Sequence, residues 1–109
     1  MINIYMWSGP RNISTALMRS FENRKDTKVC DEPFYAYYLK KTNLNHPMKD
    51  EIINHYHTNE DEVINLITKE DNKYKIFYQK HMTHHILDET RLDWINKGIN
   101  CFLIRDPAK

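Results

Sequence analysis

The stretch 2–22, INIYMWSGPRNISTALMRSFE, constrains the fold more than any other in the chain. It reads as strand, tight loop, helix. Ile2, Ile4 and Met6 alternate with Asn3, Tyr5 and Trp7, and bulky and β-branched side chains suit a pleated sheet. Ser8, Gly9 and Pro10 end the strand, because Gly tolerates positive φ and Pro lacks the N–H that a ladder needs. Asn12 or Ser14 then caps a helix whose Ile13, Leu17 and Phe21 share one face. A loop that turns from a strand into a helix N-terminus gathers free backbone N–H groups at the positive end of a helix dipole. That makes an anion site, suited above all to phosphate. Arg11 adds a planar fork of donors, and Ser14 and Thr15 add hydroxyls. The Walker A spacing G-x-x-x-x-G-K-[ST] is absent, which weakens the competing reading as a nucleotide-binding or kinase relative.

The rest of the chain alternates strand-like and helix-like segments. Lys28, Val29 and Cys30 read as a short strand that runs into Asp31-Glu32-Pro33, and 34–39 as an aromatic-rich helix capped by Asp31 or Glu32. Segments 48–56 and 60–69 read as charged helices, the second opened by Asn59 as cap. The stretch 74–79, YKIFYQ, reads as a strand followed by Lys80 and His81. A helix is expected from Thr83 or His84 through about Asn96, with Ile86, Leu87, Trp94 and Ile95 turned to the core and Leu92 weakly so. Lys97-Gly98 would stop it. The apolar run 99–104, INCFLI, is expected to be a strand buried on both faces. The fold class is therefore α/β, a mostly parallel sheet of about four strands flanked by helices. Ligands of such sheets gather at the carboxyl ends of the strands. Each strand ends there in polar chemistry: Arg11, Glu32, Lys80-His81 and Arg105.

With 109 residues the chain makes one domain with a modest core, and a formal net charge of +1 gives no reason to expect nucleic acid as a partner. No apolar run is long enough to span a bilayer, and no basic-plus-apolar leader opens the chain. A cytoplasmic location without membrane attachment is expected. Cys30 and Cys101 lie in apolar runs and are expected as buried, reduced thiols. His81 and His85 are an i, i+4 pair without an H-E-x-x-H frame, so no metal is expected; His46, His55 and His57 are expected to be solvated.

The loop S-G-P-R-N-I-S-T-A-L resembles the sulfonate-donor loop of the sulfotransferases, enzymes of P-loop NTPase-like fold that use 3′-phosphoadenosine 5′-phosphosulfate (PAPS). Pro10, Arg11, Ser14 and Thr15 match the family's P-R-S-G-T-T or P-K-S-G-T-T pattern, and Asn12 and Ile13 stand where it has Ser-Gly. The resemblance implies that Arg11 contacts the 5′-phosphosulfate and stabilises the leaving oxygen, within a donor loop of Arg11, Asn12, Ser14 and Thr15. F-L-I-R-D-P resembles the second family motif, which implies that Arg105 grips the 3′-phosphate. Glu32 stands at a spacing from Pro10-Arg11 similar to that of the Glu base in members of the tyrosylprotein type. Burial beside the aromatic segment would raise its pKa toward a useful range. Small-molecule members instead use a His shortly after a Lys at the third strand; Lys80-His81-Met82-Thr83-His84 resembles that site and leaves His81 and His84 open. The reaction implied is transfer of the sulfonate from PAPS to a hydroxyl or amine of a small acceptor. The resemblance covers only the first part of a family domain, 1–109, so an incomplete domain of doubtful independent activity is expected, its last strand beside an uncovered flank. A non-catalytic fragment that assembles with itself or with a partner strand competes with this expectation.

Overall fold

The computed structural model describes residues 1–9, 14–43 and 48–103. β1 (Ile2–Ser8) is followed by α1 (Ser14–Glu22), β2 (Thr27–Asp31), α2 (Tyr35–Thr42), α3 (Lys49–His55), α4 (Glu60–Thr68), β3 (Ile76–Met82) and β4 (Ile99–Leu103). The four strands form one sheet in the order β2-β3-β1-β4, and every pairing is parallel. Parallel neighbours need crossovers: α1 lies between β1 and β2, α2, α3 and α4 lie between β2 and β3, and a stretch without an α-helix joins β3 to β4. The register sets Ile2 against Ile76 on one side of β1 and Ile4 against Ile99 on the other.

Strand alternation gives the sheet two different faces. Tyr5 and Trp7 of β1 point to a face covered by α2, α4 and the chain before β4. There they pack with Phe34, Tyr37, Val63, Ile64, Ile67 and Trp94 in one buried cluster. Gln79 is buried at the same level, and its amide donates to the Ile67 carbonyl at 2.7 Å. On the other face α1 packs over β2 and β3, with Phe21 stacked on Tyr78 at 4.3 Å between ring centroids.

Several elements form for the expected reasons. The Asn59 side chain accepts from the Asp61 and Glu62 backbone N–H groups and opens α4, whose Val63, Ile64 and Ile67 are buried. Four expectations need correction. No helix spans 83–96: two 3₁₀ turns, Thr83–His85 and Ile95–Lys97, flank an irregular stretch. Local polar bonds hold that stretch instead of a helical ladder. The Thr90 hydroxyl accepts from Leu87 N–H, and Trp94 Nε1 donates to the Arg91 carbonyl. β3 runs on through Met82, so Lys80 and His81 lie within the strand and alternate between its faces. Neither Asp31 nor Glu32 caps α2 with its side chain; Asp31 ends β2 and Phe34 holds the cap position. Lastly, β4 is not buried on both faces: it is an edge strand paired with β1 alone, and Ile99 and Phe102 are 56% and 66% exposed.

Gly98 does not end a helix through a left-handed cap, since its backbone is extended. Its role is steric. A Cβ there would meet the Asn3 carbonyl oxygen at 2.7 Å and the Tyr5 ring at 2.8 Å, so only Gly lets β4 enter beside β1. Both cysteines are free and part-buried, and burial with the nearby Asp31 charge pushes the Cys30 thiol up to about 11.

Candidate functional site

At the carboxyl rim of the sheet the hub is Lys80. Its side chain is only 8% exposed, and its ammonium donates to the Thr15 hydroxyl at 2.9 Å. The same Nζ lies 3.4 Å from Asp31 Oδ1 and 3.9 Å from Glu32 Oε2. The register explains the first ion pair, because Asp31 and Lys80 are direct partners across β2 and β3. It also explains the reach to Thr15. Lys80 pairs on its other side with Met6, on the face that α1 covers, and Thr15 lies in the first turn of α1. One buried cation thus ties a helix N-terminus to two carboxylates.

Glu32 sits at the exit of β2 with φ 49°, a left-handed backbone that is uncommon for a residue with a side chain. The strain is held by two hydrogen bonds. Its N–H donates to the Lys80 carbonyl at 2.9 Å, and its carbonyl accepts from Tyr35 N–H at 3.1 Å. Residues kept in sparse backbone regions cluster where geometry serves a site. The Glu32 carboxyl is raised from its ordinary pKa by burial, against the opposing pull of the Lys80 charge; Asp31 pushes it further up. His84 and His85 form an aromatic group with Tyr35 and Tyr38, with Tyr35 stacked on His85 at 5.1 Å and His84 edge-on to Tyr38 at 5.3 Å. The exposed His84 is close enough for its charge to act on Glu32.

His81 is one residue from Lys80 and on the opposite face. It is 2% exposed, stacked on Trp7 at 4.8 Å and on Trp94 at 5.5 Å, and its Nε2 meets Gln79 Oε1 at 2.9 Å. Burial, with the neighbouring His85 charge, pushes its pKa down to about 3. The ring is neutral at ordinary pH and sits inside the aromatic core. The structure therefore brings Thr15 and Glu32 together through Lys80 and sets His81 apart from them. Ser14 begins α1. Arg11, Asn12 and Arg105 lie outside the described residues. Among the other histidines, His55 is exposed, His57 is exposed and paired with Glu62 at 3.0 Å, and His46 lies outside the described residues.

Lys80 was expected at the rim only as a polar residue at the end of the third strand, with no partner named, and Asp31 was not among the residues expected to act there. The signal for them was the period-two alternation of a strand that includes both Lys80 and His81, which puts consecutive polar residues on opposite faces. Among the described residues no cluster of His, Cys, Asp or Glu is arranged to hold a metal ion, and no helix is long and apolar enough to cross a membrane. Two cavities of similar size open on the surface. One, of about 460 Å³, adjoins Glu32; the other, of about 430 Å³, lies beside Lys40, Lys41 and Asn59.

A family model described as the sulfotransferase domain matches residues 2–109. Two curated relatives from Arabidopsis thaliana, branched-chain-amino-acid aminotransferase-like proteins 1 and 2, are each 36% identical over 104 residues. The match takes in 95% of this chain and 19% of either relative, so the chain spans about a fifth of the curated relatives' length. No solved structure matches it.

Proposed function

The chain belongs to the sulfotransferase domain family, and from that premise we propose that it binds PAPS at the carboxyl rim of its sheet and passes the sulfonate to a hydroxyl or amine acceptor. It would do so as the N-terminal portion of such a domain. The observation that carries the reading is Lys80, a buried ammonium that touches the first turn of α1 and faces Glu32 and Asp31.

The described residues fit a doubly anionic donor. The first turn of α1 offers the positive end of a helix dipole and the Thr15 hydroxyl, and Lys80 adds a positive charge beside that hydroxyl. Arg11, Asn12, Ser14 and Arg105 complete the donor contacts in this proposal. The donor supplies an activated sulfur, and in-line transfer needs its charge neutralised and the acceptor's proton removed. Glu32 is the base of choice. Its carboxyl is part-buried, its pKa is raised, and its backbone is locked by Lys80 and Tyr35. The acceptor oxygen or nitrogen forms the new bond to sulfur, the bond from sulfur to the phosphate oxygen breaks, and the acceptor proton passes to Glu32. Lys80 holds the charge that grows on the departing oxygen. His81 keeps Trp7 and Trp94 in place behind β3 and β1, a positioning role that its buried neutral ring suits.

Calorimetry with 3′-phosphoadenosine 5′-phosphate tests the reading. The wild-type chain is expected to release heat on binding. Arg11→Ala and Lys80→Met abolish or strongly weaken it, and His55→Ala leaves it unchanged. No heat at high protein concentration overturns the proposal.

A further inference from the structure

The cavity of about 430 Å³ lies where the end of α2 meets the start of α4. Its polar lining divides into groups already engaged and groups left over. Asn59 is engaged as the cap of α4, its side-chain oxygen accepting from the Asp61 and Glu62 N–H groups. The two carboxylates of the lining are both answered by Arg91: its backbone N–H donates to Glu60 Oε2 at 3.1 Å, and its guanidinium pairs with Asp61. The hydroxyl of the buried Tyr37 shares a hydrogen bond of 2.7 Å with Thr90. Lys40, Lys41 and Thr58 are left over. Among the described residues neither lysine has an ion pair or a side-chain hydrogen bond, and the Thr58 hydroxyl has no partner. The cavity thus presents two uncommitted cations and one uncommitted hydroxyl.

We propose that this cavity binds a small aliphatic dicarboxylate, one carboxylate on each lysine, with the Thr58 hydroxyl donating to one of them. Lys40 and Lys41 are consecutive in the last turn of α2. Consecutive helical side chains leave the axis about 100° apart, so the two ammonium groups do not converge on one point. Two separated charges on a flexible chain fit that arrangement, and a compact tetrahedral anion does not. The volume lies in the range of pockets that take small organic ligands, and the Tyr37 ring offers apolar surface to the methylene groups. A single exposed ammonium holds a carboxylate weakly in water, so engaging both lysines at once is what lifts the affinity. Lys80, Thr15 and Glu32 are not in this lining, so binding here is separate from binding at the rim.

Backbone amide NMR of the 109-residue chain, titrated with glutarate, acetate and inorganic phosphate at one ionic strength, tests this. Glutarate is expected to shift the amides of Lys40, Lys41 and Thr58 and to bind about tenfold more tightly than either of the others. Lys40→Gln and Lys41→Gln, at exposed positions that leave the fold intact, each bring glutarate down to the level of acetate. Thr58→Val weakens it about threefold. Glutarate is expected to stay bound when 3′-phosphoadenosine 5′-phosphate saturates the chain; displacement by that nucleotide, with shifts at Lys80, overturns the inference. So does an absence of shifts at Lys40, Lys41 and Thr58, equal binding of acetate, or tighter binding of phosphate. Glutarate binding that survives in the double variant Lys40→Gln, Lys41→Gln overturns it as well, and leaves the lysines only their attraction to the carbonyl end of α2.

Discussion

The two faces of the sheet are built from the same four strands and differ in almost everything else. One carries Trp7, His81 and Trp94, closed in by α2 and α4 until most large side chains there are fully buried. The other carries Ile4, Met6 and Ile99 under α1, which packs on β2 and β3 and leaves the β1–β4 side open: Ile2 is 54% and Ile99 56% exposed. The closed face holds the fold, and the half-open face holds the cation of the site. A residue's importance for folding and its importance for chemistry are thus separated by a single step along β3, from His81 to Lys80.

Substitutions can break that contrast. Trp94→Ala removes the largest fully buried side chain and is expected to destabilise by about 3–5 kcal/mol, read as a fall in the urea midpoint. A loss below about 1 kcal/mol would show that the aromatic face does not carry the fold.

The next effect is pH dependence. His81 has a depressed pKa in the folded state, about 3 against an ordinary 6.5, so the unfolded chain takes up its proton first on acidification. Its contribution to stability is complete above pH 6.5 and is lost progressively between there and pH 3. The slope is up to about 1.4 kcal/mol per pH unit for that one group. His81→Phe should flatten this part of the curve, measured by denaturation across the range. An unchanged slope would place the ring in water.

Gly98→Ala is expected to destabilise by about 1–3 kcal/mol, because the new methyl meets backbone as well as side chain. Smallest is Ile99→Lys on the open side, expected to change stability by less than about 0.5 kcal/mol. A large loss there would mean that the two faces are equally closed in solution.

Much of this was legible from residue patterns, and the exceptions have physical causes. β1, β3 and α4 announce themselves through alternation, aromatic runs and the Asn59 cap. The stretch 83–96 carries apolar residues at helix-like intervals, yet Thr90 and Trp94 satisfy the backbone through their own side chains. Apolar content marked INCFLI as a strand but could not say that it would be an edge, since that depends on which neighbours arrive. At the site, Glu32 and Thr15 were visible as candidates. Lys80 was visible as a rim residue but not as their common partner, because the bonds from Lys80 to Thr15 and Asp31 need the register of three strands and a helix at once.

The position of β1 has a consequence for how the chain acquires its shape. Both hydrogen-bonding edges of this strand are claimed by segments far downstream: Ile2 waits for Ile76, and Ile4 for Ile99. Such a high contact order makes folding slow and leaves little room for ordering while the polypeptide is still being synthesised. Until β3 leaves the ribosome, INIYMWS is an unpaired, aromatic-rich ribbon, the kind of segment that chaperones hold, and its second edge stays bare until β4 follows.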